Sequence, residues 1–227
     1  GGGIHNNGGT VTITDSYLIS NQAQTGGALY ILNGQATLLR SAVRSSVVSG
    51  FGGGVYAVGP TTITNVTFSN NRAARGGGLY TAANTTVLNA TFNENRADLG
   101  GAIYHQAATT SVKNTILTGS LDTAGSSASL NCDGPTLTTL GRNIIGDNSC
   151  VPNPSSVGDL LATDAKLGGW FASPLRGYIP AEDSPALDYA QDCPATDQRG
   201  YPRPLGAGCD VGAIERGAVV FLPLTRR

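Results

Sequence analysis

The chain has 227 residues, a formal net charge of −1 and 13% charged residues, where about 25% is usual. This balance gives no electrostatic basis for binding nucleic acid or an anionic membrane, because both need clustered Lys and Arg. No run of about 18 apolar residues occurs, so the sequence predicts no membrane-spanning helix. The chain contains no Met, and we expect it to be a processed chain or a piece of a longer one.

A glycine-rich phrase recurs along the first half of the chain. In each copy, glycines precede an apolar residue, and that residue is followed by an aromatic side chain. The apolar residues of the five copies are Ile4, Leu29, Val55, Leu79 and Ile103. They lie 25, 26, 24 and 24 residues apart. A fixed period of this length is the signature of a solenoid.

Further apolar columns share this period. One column consists of Ile13, Leu38, Ile63, Val87, Val112 and Leu137, and another of Leu18, Val43, Phe68, Phe92 and Leu117. Within each copy the apolar residues alternate with small or polar ones, which is typical of β-strands. The sequence therefore predicts an all-β fold, a parallel β-helix of about six three-strand rungs over residues 1–150.

The repeat becomes indistinct near its end. We expect the sixth rung to contain Leu130, Leu137 and a strand around Asn143-Ile144-Ile145. From Val151 the period is absent, and prolines and acidic residues concentrate. We interpret residues 151–227 as a loop-rich C-terminal cap, packed over the open end of the solenoid, because an uncovered rung exposes unpaired strand edges.

The four cysteines fall into two local pairs. We expect disulfides between Cys132 and Cys150 and between Cys193 and Cys209, formed in an oxidising compartment. No CxxC motif occurs, and the two histidines lie far from the cysteines in the sequence, so a metal site of Cys and His is not expected. We expect no cofactor, although the acidic C-terminal part leaves room for a structural Ca²⁺.

Two polar columns accompany the apolar ones. The first contains Asp15, Arg40, Asn65, Asn89 and Asn114, and the second contains Asn21, Ser46, Asn71, Asn95 and Ser120. Stacked Asn side chains at corners can bond to each other and to the main chain of turns, so both columns predict structural ladders. Asn65 and Asn89 also match the glycosylation pattern, but we expect ladder positions to be inaccessible.

A column of tyrosines is the candidate ligand-binding surface. Tyr30, Tyr56, Tyr80 and Tyr104 follow the inward apolar residues and should therefore project outward. Such a stripe could hold a sugar or a partner protein. The alternative is that the rings stack on each other and only stabilise the fold.

The repeats contain few residues for acid–base catalysis. Before Asp122 the only acids are Asp15, Glu94 and Asp98, and no pair of carboxylates falls on neighbouring rungs of one column. We therefore predict a protein without catalysis. The alternative, a polysaccharide lyase or hydrolase, requires two convergent carboxylates or a bound Ca²⁺.

The two ends of the chain suggest an assembly. The first rung, which contains Ile4, offers an open strand edge, and the C-terminal tail is apolar before two final arginines. The tail residues that could add to the first rung of a second copy are Val219, Val220, Phe221, Leu222 and Leu224. The hypothesis is a head-to-tail filament. Upstream rungs outside this chain, or a segment folded over the first rung, are the alternatives.

The repeats resemble a known family. Phe68-Ser-Asn-Asn71 followed by Gly76-Gly77-Gly78-Leu79 is similar to the paired FxxN and GGA[IL] motifs of polymorphic outer-membrane proteins, which are bacterial surface β-helix adhesins. Phe92-Asn-Glu-Asn95 followed by Gly100-Gly101-Ala102-Ile103 repeats the pattern. This resemblance implies a right-handed parallel β-helix on an exported protein.

The part from about Asn114 to Glu215 resembles the choice-of-anchor Q domain of secreted bacterial proteins. The motifs that carry this resemblance are Leu140-Gly-Arg-Asn-Ile-Ile-Gly-Asp147, Ser184-Pro-Ala-Leu-Asp188, Cys193-Pro-Ala-Thr-Asp-Gln-Arg-Gly200 and Cys209-Asp-Val-Gly-Ala-Ile-Glu215. The sequence departs from the family between Leu167 and Ile179. The two resemblances imply an extracellular or cell-surface location and no established catalytic activity. As partners we expect the chain itself, other surface proteins or glycans.

Overall fold

The computed structural model describes residues 1–106, 108–125, 128, 130–152, 155, 157–171 and 176–217. These residues contain twenty β-strands and no helix, so none of them belongs to a helix that could cross a membrane. The strands are β1 Ile4–Asn6, β2 Thr10–Thr14, β3 Tyr17–Ile19, β4 Gln22–Ala23, β5 Leu29–Ile31, β6 Gln35–Arg44, β7 Val47–Val48, β8 Val55–Ala57, β9 Thr61–Ser69, β10 Leu79–Thr81, β11 Thr85–Leu88, β12 Thr91–Asn93, β13 Ile103–His105, β14 Thr110–Lys113, β15 Ile116–Thr118, β16 Cys132–Asp133, β17 Thr138–Thr139, β18 Ile144–Ile145, β19 Leu167–Phe171 and β20 Gly177–Pro180.

The first eighteen strands form a parallel β-solenoid of about six turns, which confirms the fold predicted from the repeat. The first sheet has the order β1-β5-β8-β10-β13-β16. The second sheet has ten strands and includes the long strands β6 and β9 at its centre. Equivalent residues of successive rungs are paired, as Leu29 is with Val55 and Val55 with Leu79. One core of stacked apolar side chains therefore runs the length of the solenoid.

Corners at fixed positions separate the strands of each rung. The corner between β2 and β3 falls at Asp15, where φ is +51°, and the equivalent residue Asn65 has φ of +54°. Asn tolerates this left-handed backbone better than most residues because its short side chain can bond locally. Gly76, at the corner before β10, has φ of +63°, which glycine adopts at little cost.

The sixth rung differs in detail from the expected one. Val112 pairs with Thr139 and not with Leu137, although Leu137 is still buried in the core. The partner of Ile103 is Cys132, and Leu130 is 54% exposed. The strand around Ile144-Ile145 pairs with Ile116-Leu117 as expected. The excursion after Ser120 changes the spacing of this rung, and the constant period therefore gave the wrong register.

The C-terminal segment packs on the last rung and along the flank of the solenoid. Only a short stretch around Leu160 extends the last rung, where the Leu160 carbonyl accepts a hydrogen bond from Ile145 N at 2.8 Å. The other described residues between 151 and 217, called the flank segment below, pack along the flank of the solenoid. Gln198 Oε1 accepts a 2.6 Å hydrogen bond from Thr67 Oγ1 on β9, and Ala213 N donates to Thr91 Oγ1 on β12. Most of this segment therefore packs on the flank, and the expected division into a solenoid of residues 1–150 and a cap of residues 151–227 stays a prediction.

Candidate functional site

The tyrosine column forms a continuous ring stack on the first sheet. Tyr30, Tyr56, Tyr80 and Tyr104 occupy equivalent positions of β5, β8, β10 and β13, and adjacent centroids are 5.0, 4.8 and 5.2 Å apart. The planes of adjacent rings differ by 12° to 20°. The ring faces thus point at each other along the solenoid axis, and their edges point outward.

Neighbouring side chains cover part of this stack. Phe51 lies parallel to Tyr80 at 5.2 Å, and the Arg75 guanidinium lies over the rings of both Phe51 and Tyr104. Burial raises the pKa of the Tyr56 and Tyr80 hydroxyls above the usual value. Because sugars bind to open aromatic faces, these geometries favour the structural role of the tyrosines.

The second polar column contains a buried ladder. Asn71 donates from Nδ2 to Oδ1 of Asn95 at 3.0 Å and to the Val43 carbonyl at 2.9 Å. Asn95 in turn donates to the Phe68 carbonyl at 3.0 Å. Asn21 is at the equivalent position of the first rung and is only half-buried. Each buried amide thereby satisfies main-chain groups of a neighbouring rung.

The first polar column binds the C-terminal segment in addition to itself. Asn114 donates to Oδ1 of Asn89 at 3.2 Å, which is a ladder contact. Asn65 donates to the Thr196 carbonyl at 2.7 Å, and Asn114 also donates to the Gln191 carbonyl at 2.8 Å. Asn65 and Asn89 are 1% and 0% exposed, so a glycan cannot be attached to either in the folded chain. This column is therefore where the flank segment is held.

A buried charge network organises the flank segment. Arg203 Nη1 is 2.7 Å from Oε2 of Glu215, and both side chains are fully buried. Arg199 Nε is 2.6 Å from Oδ2 of buried Asp197. Asp210 accepts hydrogen bonds from main-chain N–H groups, but its burial raises the pKa of the carboxyl to about 6. In the part of the chain that is described, no three His, Cys, Asp or Glu side chains are placed to hold a metal ion.

Both expected disulfides are present. Cys132 bonds to Cys150, and Cys193 bonds to Cys209. The first joins the last rung to the chain that leaves it, and its sulfurs lie in the core. The second closes a loop of the flank segment.

Sequence reasoning missed a cleft between the C-terminal part and the solenoid. Strands β19 and β20 form an antiparallel hairpin on the flank, and the space beside it encloses about 480 Å³. The polar and aromatic residues that line this hairpin cleft are Asn93, Glu94, Thr118, Asp164, Trp170 and Tyr178. Glu94 and Tyr178 are 84 residues apart, and no periodic signal links them. Two carboxylates, those of Glu94 and Asp164, line the cleft.

The candidates for assembly are only partly described. Ile4 lies in β1, is half-buried, and pairs with Leu29 of the second rung. The tail residues Val219, Val220, Phe221, Leu222 and Leu224 lie outside the described residues. Head-to-tail assembly therefore stays a prediction.

The fold and its cysteines define a parallel β-solenoid with two disulfide bonds. Residues 65–82 and 89–106 match the family model of the Chlamydia polymorphic membrane protein repeat. Comparison with curated proteins and with solved structures found no match. The matched repeats and the disulfides point to an outer-membrane or surface location. The resemblance to the choice-of-anchor Q domain stays a prediction.

Proposed function

We propose that this chain is a secreted or cell-surface β-helix that acts as an adhesive scaffold and does not catalyse a reaction. The observation that carries the proposal is the position of the two matched repeats. Residues 65–82 and 89–106 fall on consecutive rungs and include the corners, the glycines and the buried Asn ladder. The features that resemble an adhesin are thus the ones that build the solenoid.

The distribution of carboxylates supports a role without catalysis. Asp15 is held in a bidentate contact by Arg40, at 2.7 Å for both nitrogen–oxygen pairs. Asp98 accepts a 2.7 Å hydrogen bond from Thr123. Glu94, the third acid of the repeats, faces the hairpin cleft.

Display of the chain on a bacterium that does not adhere tests the proposal. Cells that display it should attach to an epithelial monolayer or to immobilised glycans more than cells that display an unrelated β-solenoid of similar size. Equal attachment of the two strains at matched surface levels would contradict an adhesive role.

The second candidate function is degradation of a polysaccharide. It is favoured by one observation, that Glu94 and Asp164 line the same cleft, because glycoside hydrolysis uses a pair of carboxylates. Incubation of the purified chain with neutral and acidic polysaccharides, followed by a reducing-end assay, separates the two functions. If the original chain releases products and Glu94→Gln does not, the chain is an enzyme and the scaffold without catalysis is ruled out.

A further inference from the structure

The hairpin of β19 and β20 has a second space beside it, an apolar groove of about 500 Å³. The residues that line this apolar groove are Gly168, Phe171, Ile179, Pro180, Ala181, Arg216 and Gly217. Of these lining residues only Arg216 is charged. Phe171 is 44% exposed and Ile179 is half-buried. An exposed apolar surface rimmed by polar groups is typical of a place where another segment binds.

Two aromatic residues hold the hairpin in place, and their chain neighbours line the groove. Tyr178 is buried, and its hydroxyl is 2.7 Å from the hydroxyl of Ser69 on β9. Trp170 packs edge-on against Tyr178, with ring centroids 5.4 Å apart. Phe171 and Ile179, the residues that follow these two, line the apolar groove. The groove therefore has a wall that is fixed to the solenoid.

Arg216 anchors the chain beside this groove. Its Nη1 donates to the Pro180 carbonyl at 2.7 Å, and its Nη2 donates to Oε1 of Glu182 at 2.7 Å. Its main-chain N–H donates to Oδ2 of Asp210 at 2.6 Å. Gly217 therefore follows a residue that is held through both its main chain and its side chain, and it is itself part of the groove lining.

The residues that follow Gly217, called the tail segment below, are apolar. They read Ala218-Val219-Val220-Phe221-Leu222-Pro223-Leu224 without a charged residue, and they lie outside the described residues. An extended chain advances at most about 3.6 Å per residue, so Val219 is within about 7 Å of Gly217 and Phe221 within about 14 Å. The first apolar side chains of the tail segment therefore stay within reach of the groove in every conformation of the chain.

The free energy of docking favours the groove of the same chain over that of a second copy. Contact between the tail segment and the groove removes apolar surface of both from water. A segment attached at the groove has a local concentration of about millimolar, and it loses little translational freedom when it docks. The tail segment of a second copy has to arrive from bulk solution and pays that cost in full. Docking also shields the run from Val219 to Leu222, which has the composition of an aggregation-prone segment.

We propose that residues 219–224 dock in the apolar groove of their own chain, against Phe171, Ile179 and Pro180. The tail segment then covers the hairpin, and the apolar side chains of both are removed from water. In this arrangement the tail segment is not available to the first rung of a second copy, so the head-to-tail filament is the competing outcome of the test. The inference goes beyond the proposed adhesive function and does not depend on it.

A photo-crosslinker in place of Phe221 identifies the surface that the tail segment contacts. The intact chain with benzoylphenylalanine at this position is irradiated at several protein concentrations, and the cross-linked peptides are identified by mass spectrometry. We expect cross-links to the peptide of residues 167–181 within one chain, with a yield that does not change with concentration. Cross-links between two chains, or the absence of cross-links to residues 167–181, would overturn the proposal.

Cleavage by chymotrypsin after Phe221, which removes residues 222–227, gives an independent measure of docking. Phe171→Asp places a charge in the groove and should speed this cleavage about tenfold, which corresponds to about 1.4 kcal/mol of lost docking free energy. The matched control Leu140→Asp places the same charge at an apolar residue that is 53% exposed and lies outside the groove, and it should leave the rate unchanged. Equal cleavage rates for Phe171→Asp and Leu140→Asp would overturn the proposal, because the groove would then not protect the tail segment.

Discussion

Asn71 donates a hydrogen bond from Nδ2 to Oδ1 of Asn95, 3.0 Å away on the next rung. The same Oδ1 accepts the main-chain N–H of Asn71 at 3.1 Å, and Asn71 Oδ1 accepts the N–H of Ser46. The side chain of Asn71 therefore connects three successive rungs at one corner. Because it is fully buried, water cannot replace any of these bonds.

Replacing Asn71 should destabilise the solenoid strongly. Asn71→Leu leaves the buried Ser46 N–H without its partner and removes one hydrogen bond to the Val43 carbonyl. A buried group without a partner costs about 1–3 kcal/mol. We expect the free energy of unfolding in urea to fall by about 2–4 kcal/mol. Asn21→Ala is the matched control, because Asn21 has the same place on a half-buried rung. Equal losses for the two variants would show that the ladder contributes little.

The tyrosine stack gives a prediction that separates stabilisation from ligand binding. Tyr56→Leu removes ring contacts with Tyr30, Tyr80 and Phe51, and should cost about 1–2 kcal/mol. Tyr104→Leu removes only the contact with Tyr80 among the tyrosines, so it should cost about half as much. Cells that display either variant should adhere like cells that display the original chain. Lost adhesion at unchanged stability would assign the stripe to ligand binding instead.

Residue spacing was sufficient to predict the solenoid but not the site. Stacked rungs place equivalent residues on top of each other, so a column such as Leu29, Val55 and Leu79 is visible as a constant period. That constancy predicted the core, the Asn ladder and the tyrosine stack. It gave the wrong register for Val112, because the excursion after Ser120 has no counterpart in the other rungs.

The position of the flank segment could not be read from the sequence for a different reason. The contacts that hold it join residues such as Asn65 and Thr196, which are 131 positions apart, and a single pair leaves no repeated signal. The polar corner column was visible, but a donor at a corner can bond along the ladder or to another segment. The hairpin cleft depends on this docking, and it was therefore missed with it.

The buried carboxyl of Asp210 predicts a dependence of stability on pH. Its pKa is raised from 3.8 to about 6 in the folded chain, so between these pH values the folded state binds more protons than the unfolded state. Stability from this group is therefore present at low pH and is lost as the pH rises toward and through 6. The shift of about two units corresponds to roughly 3 kcal/mol.

Asp210→Asn should remove this contribution. Asn cannot accept the N–H groups of both Asp188 and Arg216, so the variant should be less stable at pH 4. The difference in the free energy of unfolding between the variant and the original chain should shrink as the pH rises to 7, because the original chain then carries a buried charge. Urea unfolding at pH 4, 5, 6 and 7 measures the difference. The control is Asp183→Asn. The exposed Lys166 beside Asp183 lowers the pKa of the Asp183 carboxyl, so the loss of stability in this variant should grow as the pH rises. A deficit for Asp210→Asn that is constant with pH would contradict the prediction.

The paired glycines give the last prediction. Gly77 follows the corner residue Gly76, and a Cβ at Gly77 would lie 2.6 Å from the carbonyl oxygens of Arg96 and Gly101. Both atoms belong to the main chain of the next rung, which is held by its own hydrogen bonds and cannot yield as a side chain can. Gly77→Ala should therefore force neighbouring rungs apart and cost about 3 kcal/mol or more.

The matched control for this substitution is Gly169→Ala, which adds the same methyl group where no atom lies within 4 Å. We expect its stability to change by no more than about 0.5 kcal/mol. Urea unfolding of the two variants compares the effect of an added methyl group that contacts the main chain of the next rung with the effect of one that contacts no atom. If Gly77→Ala were as stable as Gly169→Ala, close approach of the main chains would not explain the recurrence of the paired glycines. Their role would then be limited to the left-handed corner at Gly76.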